Sequence, residues 1–108
     1  MEIEQARSEI DERIVNTKAA GRAATPPELL ALVERLRLFD GLLYDLGEME
    51  CAEHAFLIRE NLARVDTWIQ AAALYDGLRI ADQQALREHA RERCKARCEN
   101  LKDQSGGL

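Results

Sequence analysis

The chain has 108 residues, room for one domain whose modest core needs neither metal nor disulfide to hold it. Apolar residues make up 46% and charged residues 32%, which excludes intrinsic disorder, and the dominance of Leu, Ala, Glu and Arg points to an all-α protein. A formal charge of −5 argues against a dedicated binder of nucleic acid or anionic membrane, and no apolar run is long enough to span a bilayer.

Residues 2 to 19 place Ile3, Ala6, Ile10, Ile14 and Thr17 on one narrow face, with Glu9 and Arg13 four apart outside it. This predicts an amphipathic helix that packs as a flank and is capped at its C-terminus by Gly21. Thr25-Pro26-Pro27-Glu28 predicts the next start, with Thr25 as cap, Pro26 in the first helical position and Glu28 closing a capping box. That second helix, about 26 to 45, carries Leu29, Leu32, Val33, Leu36, Phe39, Leu43 and Leu46 on its main stripe. Leu38 and Leu42 fall outside the stripe, which implies more than one apolar neighbour. Asp40-Gly41 is a weak point or kink, and Gly47 is the expected turn into the next helix.

From 48 to 76 the pattern is clearest. Cys51, Ala55, Ile58, Leu62, Val65, Ile69 and Ala72 alternate at intervals of four and three, the spacing of a coiled-coil seam, while Met49, Ala52, Phe56, Ala63 and Leu74 form a weaker opposite stripe. No proline or glycine interrupts the stretch, so it predicts one helix roughly 43 Å long, continuous through Asp66-Thr67. Asp76-Gly77 ends it, and Asp82 caps a last helix of about 83 to 102 with the seam Leu86, Ala90, Cys94, Cys98 and Leu101. The expected architecture is a single helical domain over 1–104, an antiparallel bundle or hairpin of about four helices with one long central helix, followed by a disordered tail over 105–108.

Chemistry is sparse. Cys51-x-x-His54 and Cys94-x-x-x-Cys98 have ligand types suited to zinc. A hairpin turning near residue 79, however, sets Cys98 opposite residue 60 and leaves Cys51 roughly 13 Å beyond it. No metal site, cofactor or catalytic residue is therefore expected, and the three cysteines read as small buried side chains, reduced in a cytoplasmic setting. The acidic start at Glu2, Glu4 and Glu9 is unlike a secretory signal. Folding the second and third helices about Gly47 sets His54 opposite Asp40, a structural contact that would satisfy both. Arg87, Arg91, Arg93, Lys95 and Arg97 form the basic cluster of the last helix, diluted by Glu88 and Glu92, and read as a solvated face with intrahelical ion pairs.

The two opposed stripes carry more apolar surface than four short helices hide. The expectation is a non-enzymatic protein–protein interaction module, an adaptor, inhibitor, chaperone or regulatory subunit that self-associates as a homodimer. Its expected partner-binding residues are Met49, Phe56, Ile58, Leu62, Val65, Ile69 and Leu74. The alternative is a nucleic-acid-associated regulator using the basic last helix.

Overall fold

The computed structural model describes residues 2–106, with side chains over 2–102, and every regular element among them is a helix. There are five: α1 Glu2–Ala23, α2 Pro27–Glu34, α3 Phe39–Cys51, α4 Ala55–Tyr75 and α5 Ile80–Gly106. No helix is long and apolar enough to cross a membrane among the described residues. The all-α expectation holds, and the element count rises from four to five because two expected helices are each divided and their adjoining pieces run together through Gly47 as α3.

The expected helix over 26 to 45 breaks at Arg35–Leu38. Leu38 and Leu42 fell off the stripe because the chain changes direction there, not because one straight helix has two apolar neighbours. After the break Leu42 and Leu43 are both buried. The expected 43 Å helix breaks as well, at Ala52–His54, where Ala52 and His54 adopt extended backbone. No glycine, proline or side-chain cap marks this corner. It is fixed from outside: Arg97 of α5 donates from Nη2 to the Ala52 carbonyl at 2.8 Å, and Arg93 grips the Glu50 carboxylate one turn earlier. The reversal lets Met49 on α3 and Ile58 on α4 enter the same core. Continuity through Asp66 and Thr67 is as expected, because both lie inside α4.

The glycines of α1 and α3 do different work from that expected of them. Gly21 does not end α1, and Gly47 lies within α3. They mark the crossing of the two helices: a Cβ on Gly47 would fall on the Thr17 carbonyl, 2.6 Å from its carbon, and a Cβ on Gly21 would meet the Leu43 carbonyl and stand 3.0 Å from the Gly47 nitrogen. Backbones this close need glycine on the facing helix. Thr25 likewise does not cap α2. Its Oγ1 donates to the Gly21 carbonyl at 2.7 Å, satisfying an end carbonyl of α1, and Pro26 occupies the α2 N-cap without a side-chain bond.

Gly77 does stop α4 as expected. It takes φ +63° in open space, and the Leu78 amide reaches back to the Ala72 carbonyl while its side chain is buried. The last helix begins at Ile80, ahead of the expected Asp82 cap, and Asp82 instead pairs with Arg79. It runs through Gly106, across the first residues of the expected tail; Gly107 and Leu108 lie outside the described residues.

Successive pairings build the molecule sideways. α1 lies on α3, α3 on α4 and α4 on α5, with a smaller contact of α5 back onto α3. The result is a slab of 43 × 41 × 22 Å with a radius of gyration of 15.1 Å, against about 13 Å for a fully compact chain of this size. The core lies where α3, α4 and α5 meet: Leu42, Leu43, Met49, Ile58, Val65, Ile69, Ala72, Leu86 and Ala90. α2 closes one end of it with Val33 and Leu36 beside Leu78.

Candidate functional site

The expected partner-binding residues do not form one surface. Met49, Ile58, Val65 and Ile69 are buried in the chain's own core, and Leu62 is half-buried against it. Met49 belongs to α3 rather than to the helix that bears the others. Phe56 and Leu74 are exposed and share an azimuth on α4. They stand roughly 27 Å apart along the helix, with Glu60, Ala63, Thr67 and Gln70 between them. The coiled-coil seam is thus consumed by α3 and α5.

Unpartnered apolar surface lies on α1 and, separately, on Leu74, Tyr75 and Ile80 at the far end of α4. Gly21 faces Leu43 and Gly47 faces Thr17, so α1 runs antiparallel to α3 and passes its end near Cys51 at the level of Arg13. Every residue from Glu2 to Arg13 is exposed. Ile3 is 79% and Ile10 59% exposed, yet both continue the face that docks through Ile14, Thr17 and Gly21. The free segment is held helical by its docked half, by Glu2 and Glu4 at its positive end and by the Glu9/Arg13 spacing. Its rim is acidic, with Glu2, Glu4, Glu9, Asp11 and Glu12 against Arg7 and Arg13. The sequence carried the signal as a stripe too narrow for a core helix.

Polar groups close the rest of the slab. The Trp68 indole donates from Nε1 to the buried Asp45 carboxylate, and burial pushes the Asp45 carboxyl upward, opposed by that bond and by Arg64. The Tyr44 hydroxyl is raised by its hydrogen bond to Glu48. The expected Asp40 to His54 contact does not form: Asp40 pairs with Lys18 at 3.3 Å, and His54 is exposed at the start of α4.

The basic cluster of α5 divides: Arg91 and Lys95 are on the solvated face as expected, but the other three reach across to neighbouring elements. Arg87 pairs with Asp66 at 3.1 Å, Arg93 makes two bonds to Glu50 that favour its charged form, and Arg97 holds the Ala52 carbonyl. Beside them His89 is buried with Nε2 unpartnered, and Arg97 Nε is buried and unpartnered too. Burial, then Arg93, push the imidazole pKa down, while Glu50 and Glu92 oppose.

Two clefts flank the α3–α4 corner. One of about 390 Å³, between α1, α3 and α4, mixes Arg13 and Arg64 with Glu48, Glu53 and Glu60 around Cys51 and His54, so no sign of charge prevails. The other, a groove of about 580 Å³ between α4 and α5, has Ala55, Cys98 and Leu101 on its walls with Arg59, Lys95 and Lys102. The Arg87–Asp66 pair sets the register so that Cys98 lies level with Ala55 and His54, not with residue 60. Among the described residues no group of three or more His, Cys, Asp or Glu side chains is placed to hold a metal ion. Comparison with protein families, with characterised proteins and with solved structures finds no significant match to this chain.

Proposed function

We propose that this chain is a non-enzymatic protein–protein interaction module that self-associates through the free segment of α1. The observation that carries this reading is the in-phase continuation of the α1 docking face, through Ile10 and Ile3, past the end of the helix it docks on. An apolar stripe that leaves its intrachain partner without changing face is suited to a second helix of similar kind.

Charge favours a second copy in parallel. With Ile3, Ala6 and Ile10 as seam positions, parallel pairing sets Glu2 against Arg7 of the second copy, twice per dimer. Antiparallel pairing would oppose Glu2 to Glu9 and Arg7 to Arg7, like charges in both cases. The segment is short, about 15 Å, so the association is weak and concentration-dependent. A nucleic-acid reading has less support, because Arg87, Arg93 and Arg97 are engaged within the chain.

Sedimentation velocity over a concentration series tests the proposal. The wild-type chain is expected to show a monomer–dimer equilibrium, and Ile3→Asp with Ile10→Asp to stay monomeric with unchanged helix content. Arg7→Glu should weaken the dimer, and adding Glu2→Arg should restore it. A wild-type monomer at every concentration, or a dimer unaffected by Ile3→Asp and Ile10→Asp, would overturn the reading. Dissociation by Phe56→Asp and Leu74→Asp alone would move the surface to α4.

A further inference from the structure

Cys94 and Cys98 stand four residues apart on α5, one buried against α4 and the other on the wall of the groove. The spacing of four within α5 sets both side chains on one face of the helix. We infer that this pair forms a two-thiolate site for a soft monovalent cation of the Cu(I) class. Thiolate sulfur selects such ions over hard cations.

Coordination number makes the choice. Structural zinc needs four ligands in a tetrahedron, and among the described residues no group of three candidate ligands surrounds either thiol. A two-coordinate ion is complete with two sulfurs.

Geometry separates metal binding from oxidation. Positions four apart on a helix hold their Cβ atoms about 5–6 Å apart, whereas a disulfide needs roughly 3.5–4.5 Å. Closing the bond would distort α5. An ion held between the sulfurs instead lets them stand about twice as far apart as in a disulfide, which suits the undistorted helix.

Charge fits the product. Binding forms two sulfur–metal bonds, releases both thiol protons to solvent and changes no oxidation state, so a monovalent ion leaves a complex of charge −1. Arg59, Lys95 and Lys102 line the same groove, against Glu53 and Glu99. Burial and the neighbouring Cys98 hold the Cys94 thiol protonated, so affinity rises with pH. Cys51 lies on the other side of the corner, in the α1 cleft, and takes no part.

The test is an anaerobic titration of the reduced full-length chain with Cu(I) in competition with bicinchoninate, read by the colour of the chelator complex. Wild type and Cys51→Ser are expected to retain one Cu(I) per chain. Cys98→Ser and Cys94→Ala should both surrender it, with circular dichroism confirming that α5 is intact; Cys98 is only half-buried, so its serine variant keeps the fold. Zn(II) in excess should not displace the bound ion. Retention of Cu(I) by Cys98→Ser, loss of it in Cys51→Ser, displacement by Zn(II), or failure of the wild type to compete would each refute the site.

Discussion

Gly47→Ala is the sharpest test of how α1 is held. In an ordinary helix interior this exchange gains about 1 kcal/mol from helix propensity. Here the added methyl would fall on the Thr17 carbonyl oxygen, which lies nearer than its carbon at 2.6 Å, and ordinary contact begins at 3.4 Å, so α1 and α3 must separate by well over an ångström. Neither side can yield locally, because the obstacle is backbone and not the end of a flexible side chain. Overpacking costs about 1–3 kcal/mol, a backbone clash this deep belongs at about 2–3, and α1 has little to offset it beyond the propensity gain: within the helix only Thr17 and Gly21 are buried. The expected net effect is a loss of about 1–2 kcal/mol, or roughly 5–10 °C in Tm for a chain of this length. Thermal unfolding followed by circular dichroism and by the fluorescence of the single tryptophan, Trp68, gives the number. Hydrogen exchange should show faster α1 amides, with α4 little changed. Ser8→Ala, on the free segment, is the control and should be neutral or slightly stabilising. An unchanged or higher Tm for Gly47→Ala would mean that the crossing is not close-packed.

Ile58→Ala and Ile69→Ala should each cost about 2–5 kcal/mol in denaturant unfolding, because both side chains are fully buried, while Leu74→Ala should stay within about 0.5 kcal/mol. Glu50→Gln removes the charged acceptor of Arg93; with Glu50 nearly buried but Arg93 about a third exposed, the expected loss is about 1–2 kcal/mol, below that of a fully buried pair. The depressed pKa of His89 sets a pH dependence: below 6.5 the unfolded chain binds a proton that the folded chain resists, so the His89 contribution is complete above 6.5 and is lost as pH falls towards the folded value. His89→Gln should flatten that slope in unfolding measured between pH 7 and pH 5. The raised Asp45 acts in the opposite sense, stabilising at low pH and fading as pH rises through its folded value.

Helix content, the break before Pro27, the stop at Gly77 and the buried seam from Ile58 to Ala72 were all legible in the sequence, because each follows from local chemistry or from periodicity. The corner at Ala52–His54 was not. Its residues are ordinary helix formers, and the groups that fix it, Arg93 and Arg97, lie more than forty positions away. Gly21 and Gly47 were misread for a related reason. A helix-ending glycine and a glycine that lets two backbones approach look alike until the facing element is known. The site suffered most from the missed corner. With one long helix, the seam had spare length to offer a partner; with a reversal at residue 52, Met49 and Ile58 become core neighbours and the spare apolar surface moves to α1.

That relocation has a consequence for any assembly. The free segment of α1 leaves the slab at the α3–α4 corner, while Leu74, Tyr75 and Ile80, all more than 60% exposed, gather at the other end of α4, a helix of 21 residues. About 30 Å separates the two ends, and α2 with the α4–α5 turn lies at the far one. A dimer joined through parallel α1 segments therefore covers Ile3 and Ile10 but leaves both copies of the distal patch exposed. The two surfaces are then energetically independent, as expected for sites this far apart without shared partners. Leu74→Asp with Ile80→Asp should leave the monomer–dimer equilibrium unchanged, and Ile10→Asp should leave the exposure of Tyr75 unchanged. A shift of the dimer by the distal substitutions would mean that the copies meet end to end across the slab, and the parallel register of Glu2 with Arg7 would then fail with it.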